Sequence, residues 1–200
     1  MGTPTLFSDR YSIAKSDAER QPMHSCPLNE ETVDPRKLRN ALGRFATGVT
    51  VITTQTPSGK LEGLTANSFS ALSLDPPLVL WSIRQTAPSL PGFLAASGFA
   101  VNVLAADQRK LAAAFATASI DKFADVPFAI GLRGYPVLPG SIAVFECQTE
   151  NTIGGGDHLI FVGRVVAASY CDGEPLVFSR GEYCVPVRHV PPPEQQRLHV

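Results

Sequence analysis

Three places in this sequence set polar or ionisable side chains beside backbone that a small molecule can approach closely. The first is Thr65-Ala66-Asn67-Ser68, where two hydroxyls and an amide sit in a Gly/Ala-rich run between Gly63 and Phe69. Such groups hold a ligand by hydrogen bonds rather than by charge, so an anion bound there needs backbone N–H groups or a basic side chain from elsewhere. The competing reading is a polar strand end closing into a loop. The second place is Lys122-Phe123, which offers either a charge for a phosphate and a wall for a ring, or an ordinary surface lysine beside a core phenylalanine. The third is His158, directly after Gly154-Gly155-Gly156-Asp157. Three consecutive glycines are entropically costly and suggest a backbone path that side chains would obstruct. A histidine at that point can cap the strand, contact a substrate or give up a proton.

The elements that position these residues follow from periodicity. Val49, Val51 and Thr53 alternate with Thr50, Ile52 and Thr54, the pattern of a half-buried strand. Thr56-Pro57-Ser58-Gly59-Lys60 is turn chemistry, and Leu61–Phe69 returns as a second strand. After the Asp75-Pro76-Pro77 break, Leu78–Ile83 supplies a third. Ahead of these strands, Asp34 reads as the N-cap of a helix with Pro35 at its first position; Leu38, Ala41, Leu42 and Phe45 recur at helical spacing, and Gly48 is placed to end it. Arg36, Lys37, Arg39 and Arg44 fall largely on its solvated face.

Further along, Ser89–Ala96 reads as a short helix capped by Ser89, and Phe99–Leu104 as an apolar strand broken by Asn102. A buried Asn must satisfy its amide, and pinning a neighbouring loop is the favoured use over facing a ligand. Asp107 caps a helix through Leu111, Ala114 and Phe115, followed by a looser segment to Phe128. Ile142–Asn151 alternates, with Ala143, Phe145 and Cys147 on one face and Glu146, Gln148 and Glu150 on the other; Leu159–Val166 is apolar on both faces. Asp172-Gly173 marks a tight turn, Glu174–Phe178 a short strand and Arg180–Tyr183 a closing element. Six or more short strands with hairpin signals and two or three inserted helices predict a mainly β fold, an antiparallel barrel or sandwich with flanking helices.

The 200 residues suffice for one domain with a real core, read as residues 33–185 between an N-terminal arm (1–32) and a proline-rich C-terminal tail (186–200). A net charge of −1, with 17 Lys and Arg in no basic block, argues against nucleic acid as a partner. No apolar run reaches the ~18 residues of a membrane span, and no signal-peptide core is present, so the expectation is a cytoplasmic protein. Cys26, Cys147, Cys171 and Cys184 form no CxxC pair, which leaves reduced thiols and no metal site as the default. There is no GxGxxG after a first strand and no P-loop.

Five runs taken in order carry a resemblance: Leu42-Gly43-Arg44-Phe45-Ala46-Thr47-Gly48-Val49-Thr50-Val51, Gly63-Leu64-Thr65-Ala66-Asn67-Ser68-Phe69, Ser73-Leu74-Asp75-Pro76-Pro77-Leu78-Val79, Phe99-Ala100-Val101-Asn102-Val103-Leu104 and Gly156-Asp157-His158. Over about Val33 to Val185 the chain resembles the flavin reductase-like family, which has an FMN-binding split β-barrel fold and includes reductase components of two-component monooxygenases. The resemblance implies a homodimer that binds FMN, with FAD as the alternative, and uses NADH or NADPH as hydride donor, supplying reduced flavin to a flavin-dependent monooxygenase. Two other readings stand beside it: a reductase that keeps FMN and passes electrons elsewhere, and a non-catalytic FMN-binding or storage protein.

Carried over by position, the resemblance implies that Thr65, Ala66, Asn67 and Ser68 line the ribityl chain and phosphate, that Ser82 and Ile83 contact the ring, and that Ser89 stands near the phosphate. Phe115, Lys122 and Phe123 match the segment covering the flavin, and Arg180 and Tyr183 fall near a C-terminal flavin-side segment. His158 matches the nicotinamide side, as a positioning contact or proton relay. One departure from the pattern is Ala87, where a serine is common, followed by Pro88; it removes a phosphate contact and implies weaker flavin retention or a different anchoring set.

Overall fold

The computed structural model describes residues 34–117, 119 and 121–187. The arm read for residues 1–32 and the tail from residue 188 onward lie outside the described residues. The chain divides into two units, residues 1–38 and 39–200. Of the first, only Asp34–Leu38 is described, the opening of helix α1 (Pro35–Leu42). There the Asp34 carboxylate accepts the Arg36 N–H at 2.8 Å, satisfying one amide that the helix cannot.

Helix α1 stops earlier than its apolar spacing suggests. Gly43 N–H still reaches Arg39 O at 2.8 Å, but the amides of Arg44 and Phe45 bond only three residues back, so the last turn tightens and ends. Gly48, expected to end the helix, lies instead in β1 (Thr47–Gly48), paired with β11 (Val177–Ser179), which in turn pairs with β12 (Glu182–Cys184). Phe45 is left 78% exposed, so it belongs to no buried helical face.

The body is a seven-stranded antiparallel sheet in the order β3-β2-β6-β9-β10-β5-β4. Its members are β2 (Thr50–Gln55), β3 (Leu61–Ala66), β4 (Ser70–Leu74), β5 (Pro77–Arg84), β6 (Gly98–Val103), β9 (Ala143–Gly155) and β10 (His158–Tyr170). The second strand expected over Leu61–Phe69 ends at Ala66, and the chain leaves the ladder at Asn67 before re-entering as β4. Helix α2 (Leu90–Ala95) follows β5, and α3 (Arg109–Ala116) follows a 3₁₀ turn over Ala106–Gln108. Asp107, expected to cap that helix, is an exposed residue of the turn. Gln108 supplies the local bond instead, its Oε1 accepting the Ala105 N–H at 3.0 Å. A short hairpin of β7 (Ala129–Ile130) and β8 (Pro136–Val137) completes the set.

The core has two compartments. Inside the sheet, Trp81 stacks on Phe161 with centroids 4.8 Å apart and meets Phe93 and Phe99 edge-on, pairs worth about 0.5–1.5 kcal/mol each beyond their buried area. On the other side, Val49, Val51, Leu104, Ala112, Phe115, Phe123 and Leu138 pack together under α3. Strand β2 therefore faces apolar surroundings both ways, and the half-burial expected from its alternation becomes burial of Thr50 to Thr54 throughout. The threonines remain satisfied, Thr50 Oγ1 donating to Ala66 O at 2.7 Å and Thr54 Oγ1 to Gly98 O at 2.6 Å.

Strands β9 and β10, 13 residues each, form a hairpin around the Gly156-Asp157 turn. Only Gly156, at φ +64°, needs a glycine's backbone freedom. A Cβ at Gly154 would meet nothing within 4 Å, and one at Gly155 only an ordinary contact with Ile160. The obstruction expected for the glycine run is thus absent from the described chain at the first two positions.

Candidate functional site

A cleft of about 420 Å³ opens where the end of β3, the end of β5, the turn before α2 and the C-terminal turn of α3 converge on the first residue of β10. Its lining includes Thr65, Ala66, Asn67, Ser68, Ser82, Ile83, Ser89, Phe115, Lys122 and His158. These come from six separate stretches of sequence. Register explains much of the convergence: His158 opposes Arg84, Leu159 opposes Ile83 and Ile160 opposes Ser82 across the β10–β5 ladder.

The hydroxyls of the first motif are partly committed to the protein. Thr65 Oγ1 donates to Ala112 O of α3 at 2.6 Å. Ser68 Oγ donates to Ser82 O and accepts from Ser82 N–H, both at 3.0 Å. Each has spent its proton, so what it can offer a ligand is a lone pair. Donors in the cleft come instead from the exposed Asn67 amide, from Lys122, from Arg84 and from Ser89. Ser89 stands at the N-cap of α2 but makes no side-chain capping bond, contrary to expectation, because its own backbone is helical (φ −83°, ψ −11°).

Lys122 reaches back over the end of α3, its Nζ donating to Phe115 O at 2.8 Å and to Gly63 O at 3.1 Å. A cation is favoured against the unpaired carbonyls of a helix C-terminus. Burial nevertheless pushes its pKa down from the ordinary lysine value, and the Glu62 carboxylate opposes that shift. Phe115 lies flush against β3 because residue 63 is glycine; a Cβ there would sit 2.5 Å from its ring. Phe123 was expected to cover a ligand with Phe115. It is instead buried behind it, the two rings meeting edge-on at 5.1 Å, and does not line the cleft. The bulk of Phe115 stands between.

At the other end, His158 Nδ1 and Asp157 Oδ1 are 2.7 Å apart. An ionised carboxylate can only accept, so Nδ1 carries the hydrogen and Nε2 is the open position of the neutral ring. That hydrogen bond holds the Asp157 carboxyl below its usual pKa. The turn beneath is tied to β5's end, with Gln85 N–H donating to Asp157 O at 2.9 Å and Gln85 Nε2 to Gly156 O at 3.0 Å.

Arg180 and Tyr183 are not brought into the cleft. Arg180, at φ +54° in the β11–β12 turn, donates its N–H to Gly43 O, and Tyr183 packs edge-on against Phe178 with the Arg109 guanidinium 5.8 Å from its ring. Both stand where β1 meets the C-terminal strands. Sequence reasoning missed Leu64, Arg84 and Ala116, which also line the cleft. Arg84 had a signal available, as the last residue of the strand carrying Ser82 and Ile83. Ala87 and Pro88 line it too, so the departure from the family pattern falls on the wall of the site.

The donor set is one ammonium, one guanidinium, a hydroxyl and an amide beside the apolar surfaces of Ile83, Ala87 and Phe115. It matches a flat ring carrying a phosphorylated polyol, in a cavity of the size small-molecule sites have. Among the described residues no cluster of ligating side chains would hold a metal, and no helix is long and apolar enough to cross a membrane.

Comparison with known proteins agrees with this chemistry. The chain is 49% identical over 148 residues to the FMN reductase (NADH) SmoA of Agrobacterium fabrum, covering 74% of this chain and 84% of that one. It is 42% identical over 171 residues to the flavin-dependent monooxygenase reductase subunit HsaB of Rhodococcus jostii, covering 84% and 87%. The solved structure of the NADH:FAD oxidoreductase SgcE6 of Streptomyces globisporus, in complex with NAD and FAD fragments, superimposes with a TM-score of 0.73 at 37% identity, covering 84% of this chain and 99% of that one. With residues 42–186 matching the flavin reductase like domain, this split-barrel chain belongs to that family.

Proposed function

We propose that this protein is an NAD(P)H-dependent flavin reductase that binds FMN or FAD in the cleft between β3, β5 and α3 and supplies reduced flavin to a separate monooxygenase. The observation that carries the reading is the convergence of Asn67, Ser89, Lys122, Ile83, Phe115 and His158 on one cavity. Lys122 and Ser89 are the groups to hold a phosphate, one by charge and one by a free hydroxyl. Asn67, together with lone pairs of Thr65 and Ser68, serves the polyol, and Ala66 lets the chain approach. Ser82, Ile83 and Phe115 form the surface against which a ring is held and from which water is excluded.

When bound, flavin supplies the hydride acceptor and the reduced nicotinamide the donor, so the protein's task is orientation rather than acid–base chemistry. His158, its Nδ1 hydrogen fixed by Asp157, presents Nε2 at the cleft mouth to orient the nicotinamide or to pass a proton. Leu42, Phe45, Leu74, Leu132 and Tyr170, all more than half exposed, favour a second copy covering apolar surface, in keeping with a homodimer.

The test is NADH and NADPH oxidation by the purified protein with and without added FMN or FAD. Activity that depends on added flavin supports release to a partner. Turnover from flavin retained on the protein supports an electron-transfer reductase instead. Saturable flavin uptake without oxidation of either nucleotide overturns the enzymatic reading.

A further inference from the structure

Strand β5 leaves its ladder at Arg84, which opposes His158, the first residue of β10. The next residue, Gln85, reaches across the end of that ladder and takes both carbonyls of the β9–β10 turn. Its backbone N–H donates to Asp157 O at 2.9 Å and its Nε2 to Gly156 O at 3.0 Å. The turn has little else to hold it. Cβ atoms at Gly154 and Gly156 would meet nothing within 4 Å, so nothing packs over these positions, and Asp157 itself is exposed. Successive side chains of a regular strand point to opposite faces. The Asp157 carboxylate reaches the imidazole of its own neighbour, 2.7 Å away, because Asp157 is held in the turn rather than in the strand.

Resting on the flavin reductase reading above, we propose that Gln85 is a positioning residue for hydride transfer. It holds the Gly156-Asp157 turn so that the Asp157 carboxylate keeps the hydrogen of His158 on Nδ1 and leaves Nε2 at the cleft. Gln85 does not line the cleft, so it acts on the nicotinamide only through His158. Its two bonds divide the work. The backbone N–H bond survives any substitution but proline and extends the β5–β10 register by one residue. The Nε2 bond depends on this side chain. Pinning the Gly156 carbonyl fixes the plane of the peptide that joins Gly156 to Asp157, and with it the direction in which the carboxylate leaves the turn. Gly156, at φ +64°, would otherwise leave that plane free to rotate, since glycine has the widest choice of backbone angles.

The experiment compares wild type, Gln85→Met, His158→Ala and the double variant. Methionine keeps the length of the side chain and removes the donor, and the position is exposed, so the fold is expected to persist, which thermal melting checks. In Gln85→Met, kcat/KM for NADH with FMN as acceptor falls by about fivefold, the weight of one hydrogen bond, while FMN affinity stays within about twofold. In the His158→Ala background the same substitution costs no more than about twofold, because the residue it acts through is gone. Nitrogen-15 spectra give a readout independent of turnover. At a pH where the ring is neutral, His158, identified by its absence from His158→Ala, shows the Nδ1–H tautomer in wild type and a mixture of tautomers in Gln85→Met. A loss that persists at full size without His158, wild-type kcat/KM in Gln85→Met, or a His158 tautomer unaffected by that substitution overturns the role of Gln85 alone. Wild-type protein that oxidises neither nucleotide with either flavin overturns the parent reading and this one together.

Discussion

Ser68, in the link between β3 and β4, is tied to Ser82 of β5 through one side chain: the Ser68 hydroxyl gives its proton to the Ser82 carbonyl and receives the Ser82 amide hydrogen, each at 3.0 Å. Ser68 lies two residues before β4, in line with the β4–β5 ladder in which Ser70 opposes Leu80, and its side chain holds the seam where that backbone ladder has not yet begun. A serine does in miniature what a strand would do, and the cleft opens beside it. The same residue that looks like a ligand contact in the sequence is thus a fastening of the site's frame.

Ser68→Ala leaves one N–H and one carbonyl of β5 without their partner. The seam is only partly buried and water can reach part of it, so the expected loss is about 1–2 kcal/mol. Urea unfolding checks this as a lower midpoint with an unchanged slope. Flavin affinity should weaken along with it, since the two walls of the cleft lose their tie; an unchanged midpoint would show that the seam carries no load.

Lys122→Met tests charge against structure at the end of α3. The expected outcome is a loss of about tenfold in FMN affinity, with riboflavin, which lacks the phosphate, changed by no more than about twofold. The wild type also has a pH signature. Burial lowers the folded-state pKa of Lys122, so in the window between that value and the ordinary lysine pKa the unfolded chain binds more protons, and this residue's contribution to stability rises with pH. Phosphate binding runs the opposite way, because FMN affinity declines as the ammonium is lost. That decline should begin below the ordinary lysine range and be absent from Lys122→Met.

His158→Ala should raise the KM for the pyridine nucleotide or slow flavin reduction by about tenfold, less than the loss expected for an obligate general acid. Flavin affinity should stay nearly intact, and stopped-flow reduction at the wild-type rate would remove His158 from the mechanism. Asp157→Asn keeps an oxygen that can accept the Nδ1 hydrogen but removes the charge, so its effect should be the smaller. In wild type the Asp157 pKa is depressed, hence the pairing is present above the ordinary aspartate range and is lost only as pH falls through the lowered value.

How much of this was legible in the sequence follows the range of each signal. The β2–β3 hairpin, the strand after Pro77 and the polar run at Thr65–Ser68 could be read because turn chemistry and alternation are local. The compass of α1 could not, since Phe45 continues the helical spacing while Thr47 and Gly48 are taken by a strand more than a hundred residues away. Phe123 looked like a wall because it neighbours Lys122, and only the packing of Phe115 against Gly63 places it behind. Committed hydroxyls were equally hidden, for nothing near Thr65 in sequence announces the Ala112 carbonyl. Arg180 and Tyr183 were drawn in by resemblance alone, and the described chain holds them elsewhere.

Asn102 shows the opposite case, in which one residue's chemistry was enough. Fully buried in β6, it was expected to pin a loop, and its Oδ1 accepts the Leu138 N–H at 2.9 Å while Nδ2 donates to Val51 O at 3.0 Å and to Thr53 Oγ1 at 3.2 Å. Asn102→Ala orphans the buried Leu138 N–H and removes the side-chain donor to the Val51 carbonyl, and the expected cost is about 2 kcal/mol. Asn102→Asp keeps the acceptor but turns a second lone pair toward the Val51 carbonyl. Burial should raise the new carboxyl's pKa, so this variant should be most stable when protonated in acid and lose stability as pH rises through that raised value. Flavin reduction per folded molecule should be unaffected in both variants, because Asn102 lies away from the cleft lining. A fall in that ratio would mean that the pinned loop reaches the site after all.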